Sequence, residues 1–197
     1  MDGLIDKAAE DTSHDREELE ERWSGSPELI AEDLLRVRSL ETGRIEDLEL
    51  FEPYQTQLVN AYFYGDEKII NVYKGRRIGV SFIFCVCTLI DGLINPDSFY
   101  PIVSRTKTQA ENRIEDIKKL IENAKIDIEL QKDNVGEVVL PNGATYMAFS
   151  GSPDSSRGDD AAKTVFVDEM AFLENQKESM RSFMPFISLG GRSKMLQ

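Results

Sequence analysis

Two groups of residues in this 197-residue chain have the types and spacing of phosphate chemistry. The first is Lys74-Gly75-Arg76-Arg77-Ile78-Gly79-Val80-Ser81. Glycines in a loop between a strand and a helix let backbone N–H groups turn inward around an anion, and the helix N-terminus adds a favourable dipole. Ser81 then stands where a hydroxyl ligates a magnesium ion. The common form of such a loop is G-x-x-x-x-G-K-[ST]. Here the lysine slot is Val80, and Lys74 fills the slot of the first glycine. A flexible ammonium can fold back from the front of the loop to the β- and γ-phosphates, and Arg76 and Arg77 add positive charge. Alone, the same residues equally describe a basic strand-to-helix turn with no ligand.

The second group is Thr164-Val165-Phe166-Val167-Asp168-Glu169, an apolar run ending in two acids. An aspartate at the end of a strand beside a phosphate loop can hold magnesium through water. The glutamate after it can polarise a water for in-line attack at phosphorus. Four apolar residues and two acids are by themselves a frequent coincidence. Taken together, with Asp168 87 residues beyond Ser81, the two groups point to an ATP hydrolase that uses Mg2+.

The elements that must position them follow from apolar periodicity. The pattern predicts a helix over 54–64, a buried strand over 69–73, and an apolar helix from about Gly79 to Leu93. Next come a strand over 100–104 and an amphipathic helix over 108–124. Further strands are predicted over 126–131, 137–140 and 145–149, the last two joined at Pro141-Asn142-Gly143 as a hairpin. The acid-bearing strand is 164–167, with a helix near 175–183. Such alternation is that of an α/β domain with a mainly parallel sheet flanked by helices.

The series K-x-x-R-h-G-x-S resembles the deviant phosphate loop of viral DNA-packaging terminase large subunits, notably the lambda-like type, whose lysine has moved to the front of the loop. The commoner family form is R-x-x-G-K-[ST], from which Val80 departs. The resemblance covers roughly residues 50–197 and implies a P-loop NTPase core of the ASCE/RecA-like kind. Tyr54-Gln55 resembles the adenine-reading Gln motif of terminases and superfamily 2 helicases. Residues Ser104-Arg105-Thr106-Lys107-Thr108-Gln109 resemble motif Ia, where helicase-like enzymes contact DNA backbone or relay strain. Ser155-Ser156-Arg157-Gly158 resembles the family's Arg-Gly segment.

The implied nucleotide site is Tyr54, Gln55, Lys74, Gly75, Arg76, Arg77, Ile78, Gly79, Val80 and Ser81. Ser81 and Asp168 hold the metal, and Glu169, Lys74 and Arg157 act in catalysis. In a ring of subunits Arg157 can reach a neighbour's γ-phosphate. The alternatives are pairing of Arg157 with Asp159 or Asp160, or Arg76 or Arg77 serving in cis. The implied cofactors are ATP and Mg2+. The implied partners are double-stranded DNA, sister subunits in a ring on a portal, and a small terminase subunit, in the host cell cytoplasm rather than in the virion. A helicase or nucleic-acid translocase shares the Gln motif and the Asp-Glu strand, but normally keeps Gly-Lys-[ST]. A nucleotide-binding assembly module with little turnover is the third reading. A C-terminal nuclease domain, which the family carries, is not expected within these residues.

The net charge of −13 is unevenly placed. Residues 1–52 hold 17 acidic and 6 basic side chains, and residues 53–197 hold 19 and 17. The chain therefore divides into an acidic helical N-terminal arm, 1–52, and an ATPase domain, 53–197. DNA contact needs a local basic patch rather than bulk charge. In the arm, Ser13 is placed to cap a helix over 14–23, and Ser26-Pro27 to start one over 27–40. Such helices either pack on the domain or dock another protein. Cys85 and Cys87, two residues apart in one apolar segment, are poorly placed to bridge each other, which suits a reducing compartment. The longest apolar stretch is interrupted by Ser81, Thr88, Asp91 and Gly92, which argues against a membrane span.

Overall fold

The computed structural model describes residues 1–12, 14–50, 53–73, 75, 78–151, 161–173, 176–179 and 181, together with the backbone of 194–196. The chain begins with α1 (Asp2–Asp11), α2 (Arg16–Gly25) and α3 (Leu29–Leu34), then a hairpin of β1 (Arg36–Arg38) and β2 (Ile45–Asp47). α4 (Pro53–Phe63) leads to β3 (Ile69–Ile70), α5 (Val80–Ile94), β4 (Phe99–Ser104) and α6 (Lys107–Glu122). β5 (Lys132–Asn134), β6 (Glu137–Val139), β7 (Thr145–Ser150), β8 (Thr164–Val167) and β9 (Lys194–Leu196) follow, with a 3-10 turn at Met170–Phe172.

The main sheet has the order β3-β9-β8-β4-β7-β6-β5. The strands from β3 to β7 run parallel, and β6 and β5 add an antiparallel edge. β8 pairs all four residues into the buried centre, which is why Thr164–Val167 reads as an unbroken apolar run rather than an alternating one. α5 is apolar nearly all round because it is covered by α3, α4 and α6 as well as by the sheet. Gly92 lies where the Tyr146 ring meets this helix, and a Cβ there would come within 1.9 Å of the Tyr146 hydroxyl. That hydroxyl donates to the carbonyl oxygens of Thr88 and Leu89. The predicted hairpin turn is present, with Gly143 at φ +85° and Asn142 Nδ2 donating to the Gly92 and Leu93 carbonyls near the end of α5. Cys85 and Cys87 are buried and are not joined in a disulfide. Among the described residues no helix is long and apolar enough to cross a membrane.

Four sequence expectations need correction. The buried strand predicted over 69–73 is only Ile69–Ile70, an edge strand paired on one side with β9, and Ile69 and Tyr73 are exposed. The helix predicted over 27–40 stops at Leu34, where Leu35 turns extended and the chain enters β1. Tertiary contacts win there over helix propensity. Lys125 N–H donates to the Leu34 carbonyl, and the Arg36 guanidinium donates to the carbonyls of Asn123 and Ala124 at the end of α6. The helix predicted over 14–23 starts at Arg16 and is capped by Asp15, whose carboxylate accepts from Glu17 N–H at 2.8 Å; Ser13 lies outside the described residues. Residues 126–131 are not a strand, and the ladder begins at Lys132. Their alternating apolar residues, Ile126, Ile128 and Leu130, do face the core. The strand they approach, β6, is only three residues long and is taken up by β5.

The N-terminal helices share the core of the sheet. Ile5, Leu19, Trp23, Ile30 and Leu34 belong to the same buried cluster as α5 and Phe166.

Candidate functional site: a phosphate loop facing paired acids

Gly79 precedes α5 at φ +83°, the left-handed conformation that glycine adopts without a Cβ penalty. This turn sends the chain from the loop into the first turn of α5, whose free N–H groups then face the carboxyl ends of the parallel strands. The Tyr54 hydroxyl donates to the Ile78 carbonyl and so ties the first turn of α4 to the loop. Gln55, next to it, is half-buried. Val80, in the slot where lysine is usual, is 2% exposed and belongs to the core. Lys74, Arg76 and Arg77 lie outside the described residues, as do Arg157 and its neighbours Ser155, Ser156, Gly158, Asp159 and Asp160.

Ser81 and Asp168 are brought together. The Ser81 hydroxyl donates to Asp168 Oδ1 at 2.7 Å. Asp168 is fixed from behind by its backbone, since its N–H donates to the Val103 carbonyl at 2.8 Å. Glu169, the next residue, sits at φ +55°, one of two non-glycine residues with positive φ among those described. Its carbonyl accepts from Phe172 N–H, closing the 3-10 turn. A left-handed glutamate is strained, and the turn it makes leaves the side chain exposed at the strand's end instead of continuing into the sheet.

A cleft of about 940 Å³ opens over Gly75, Val80, Ser81, Asp168 and Glu169. Lys177 and Arg181, from the segment after the acids, also line it. Sequence reasoning missed these two cations; their i,i+4 spacing was the available signal. A smaller open pocket of about 390 Å³ shares Val80, Ser81, Asp168 and Glu169 with that cleft and is lined further by Ser104, Gln109, Asn112 and Arg113. Arg113 was also missed. Its guanidinium lies 3.9 Å from Asp168 Oδ2 and 3.2 Å from Asp116 Oδ2. Burial pushes the Asp116 carboxyl above its usual pKa despite the neighbouring guanidinium, with the Asp168 charge adding to the rise. The residues resembling motif Ia make a capping box at the start of α6, in which Gln109 N–H donates to Thr106 Oγ1 and Thr106 N–H to Gln109 Oε1.

The donor set fits a hard divalent cation. A hydroxyl and a carboxylate present oxygens from adjacent walls beside a helix N-terminus, the arrangement used with nucleotide phosphates for magnesium. Among the described residues no group of three or more acidic, histidine or cysteine side chains gathers for a metal.

A phosphate-loop strand (β3) separated from the acid-bearing strand (β8) by a single parallel strand (β9) defines a P-loop NTPase fold of the ASCE/RecA-like kind with an N-terminal helical appendage. Comparison with known proteins narrows the class. Residues 71–196 match the family model for the terminase large subunit, T4likevirus-type, N-terminal, and the chain belongs to that family. The large terminase of the thermophilic bacteriophage D6E in complex with ADP superposes with a TM-score of 0.61 at 12% identity, over 74% of this chain and 38% of that one. The HK97 bacteriophage large terminase gives a TM-score of 0.62 at 12% identity, over 80% of this chain and 34% of that one. The large terminase ATPase domain of Thermus phage P74-26 gives 0.53 at 21% identity, over 75% of this chain and 65% of that one. The chain thus spans little more than a third of the two larger terminases.

Proposed function

We propose that this chain is the ATP-hydrolysing part of a motor that drives double-stranded viral DNA into a procapsid. The observation that carries the reading is the 2.7 Å contact between Ser81 and Asp168, with Glu169 turned out beside it. The loop and the N-terminus of α5 bind the β- and γ-phosphates, with Lys74, Arg76 and Arg77 supplying charge along Gly75, Ile78, Gly79 and Val80. Tyr54 and Gln55 face the base. Ser81 and Asp168 hold Mg2+, which when bound neutralises charge on the phosphate oxygens. Glu169 accepts the proton of the attacking water as its oxygen bonds to the γ-phosphorus, while the bond from that phosphorus to the bridging oxygen breaks and ADP departs. Arg157 stabilises charge on a neighbouring subunit's γ-phosphate in a ring assembled on a portal. The D6E and P74-26 structures support the nucleotide reading, being an ADP complex and a domain named as an ATPase. Double-stranded DNA, a small terminase subunit and the host cell cytoplasm complete the setting.

Val80 favours a second reading, an assembly module that binds nucleotide with little turnover, because its buried side chain takes the slot of the usual lysine. Phosphate release from ATP, followed by malachite green with and without double-stranded DNA, separates the two. Mg2+-dependent turnover lost in Glu169→Gln supports the motor; nucleotide binding without turnover supports the module.

A further inference from the structure

The large cleft carries positive charge that the hydrolysis outlined above leaves unused. Its described lining holds two carboxylates, Asp168 and Glu169, and two cations, Lys177 and Arg181. The cations belong to the segment that follows the acids, which is helical over 176–179 and again at 181. Residues four apart on a helix share a face, and both line the cleft.

Three contacts fix this segment. Gln176 Nε2 donates to the Ala171 carbonyl at 3.0 Å, which folds the segment onto the 3-10 turn beyond Glu169. The buried Ser179 hydroxyl donates to the Gly151 carbonyl at 2.8 Å, just past β7. Gly151 also leaves room for Leu173, since a Cβ there would come within 2.3 Å of Leu173 Cδ2.

Lys177 and Arg181 are themselves exposed, and an exposed ion pair would be worth little. Among the described residues neither forms one, although both share the cleft with two carboxylates. Asp168 is faced instead from α6 by Arg113, 3.9 Å from its Oδ2. The usual lysine slot supplies no charge, because Val80 is 2% exposed and apolar. Two carboxylates and a polyphosphate in one cleft repel each other unless cations stand among them.

We propose that Lys177 and Arg181 are phosphate-binding residues that contact the terminal phosphate of a nucleoside triphosphate and make the cleft prefer ATP to ADP. Both stand on the segment that leaves Glu169, the residue that acts at the γ-phosphorus, and Gln176 folds that segment back toward it. The phosphate they meet is therefore the terminal one. Lysine reaches it as a flexible point charge, and arginine offers a planar fork to two of its oxygens. The inference rests on reading the cleft as a nucleotide site.

The test uses the full chain with Lys177→Ala, Arg181→Ala and the double variant, and compares ATP-gamma-S with ADP in the presence of Mg2+. Each single variant binds ATP-gamma-S about tenfold more weakly, the weight of one charged hydrogen bond, and the double variant more weakly still. ADP affinity stays close to that of the parent. Lys177→Arg and Arg181→Lys keep most of the affinity for ATP-gamma-S, and melting temperatures hold because both side chains are exposed. Unchanged ATP-gamma-S affinity in the double variant, or equal losses for ATP-gamma-S and ADP, overturns the inference. So does a loss confined to double-stranded DNA binding, which would give the cations a nucleic-acid phosphate instead. A parent chain that binds ATP-gamma-S without hydrolysing ATP overturns the hydrolytic reading and leaves this inference standing. One that binds no nucleotide overturns both.

Discussion

The Ser81 hydroxyl and the Asp168 carboxylate meet at 2.7 Å although 87 residues separate them. Both line the large cleft and the smaller pocket beside Arg113. In Glu169→Gln, nucleotide affinity is expected to hold while turnover falls by about 10²–10⁴-fold, the usual weight of a general base. In Ser81→Ala the Mg2+ concentration needed for half-maximal rate rises. Equilibrium binding of a fluorescent nucleotide beside a Mg2+ titration of the rate checks both, and turnover surviving in Glu169→Gln puts the base elsewhere.

Val80 and Lys74 make a contrasting pair. Position 80 is packed into the core, so a lysine introduced there would have to leave an apolar site or bury its charge. Lys74→Ala is therefore expected to abolish turnover. Adding Val80→Lys should not rescue it, and should itself lower the urea midpoint. Restored phosphate release in the double variant would mean that the two positions are interchangeable sources of charge.

Gly79 tests the turn into α5. A Cβ there meets only the Tyr54 hydroxyl, at 3.8 Å, which is ordinary contact. The cost of Gly79→Ala is then conformational, about 1–2 kcal/mol for a left-handed residue. Asparagine, which tolerates this conformation, should lose less than alanine, and valine more. Chemical denaturation of the three variants gives the order. An equal loss for all three would point to a packing cause instead.

The described part of the candidate site, Ser81 beside Asp168 and Glu169, was legible because its residues break the pattern of the elements that carry them. Two acids after four apolar residues mark the end of a buried strand, and glycine before an apolar run marks a helix start. Arg113 was not legible, because a cation beside the apolar stripe of α6 looks like any surface helix residue until Asp168 arrives from another strand. The order of the sheet was hidden for the same reason, since β9 enters between β3 and β8 from the far end of the chain. Apolar alternation at 126–131 gave the right buried face with the wrong backbone state, because facing the core does not require a ladder partner. The helix ending at Leu34 depended on carbonyls some 90 residues away, at Asn123 and Ala124.

Asp91 carried a signal that the sequence reading used only against a membrane span: a carboxylate inside an apolar helix. It accepts from the Tyr62 hydroxyl at 2.9 Å, the Tyr100 hydroxyl at 3.1 Å and Asn95 Nδ2 at 2.8 Å. Burial first, and the Asp91 charge second, push both phenols well above the usual tyrosine pKa, so they remain donors. Tyr62 also meets Thr164 Oγ1 at 2.9 Å, which joins α4 to the start of β8. Asp91→Ala strands several buried donors and is expected to cost about 3 kcal/mol or more. Tyr62→Phe removes one partner of a charged group and should cost about 1.5–3 kcal/mol. Urea unfolding measures both; losses below 1 kcal/mol, on the order of an exposed hydrogen bond, would show that the network is solvated.

The N-terminal arm has its own pH signature, centred on Asp33. Burial pushes this carboxyl up, but hydrogen bonds from Arg22 and Trp23 outweigh it and hold its pKa below the usual 3.8. The Arg22 guanidinium donates to both oxygens, at 2.7 and 3.0 Å, and Trp23 Nε1 donates at 2.8 Å. A carboxyl with a depressed pKa in the folded state stabilises above its unfolded pKa, and that contribution is lost as pH falls through the folded value. The arm should therefore hold α2 against α3 near neutrality and loosen below about pH 4. Asp33→Asn removes the charge, costs about 1.5–3 kcal/mol near neutrality, and flattens the dependence in that window. Trp23, the single tryptophan of the chain and fully buried, reports the change by its emission. Urea midpoints read from that emission should fall on acidification in the parent chain and much less in Asp33→Asn. Parallel falls in the two proteins would assign the acid sensitivity to other carboxylates.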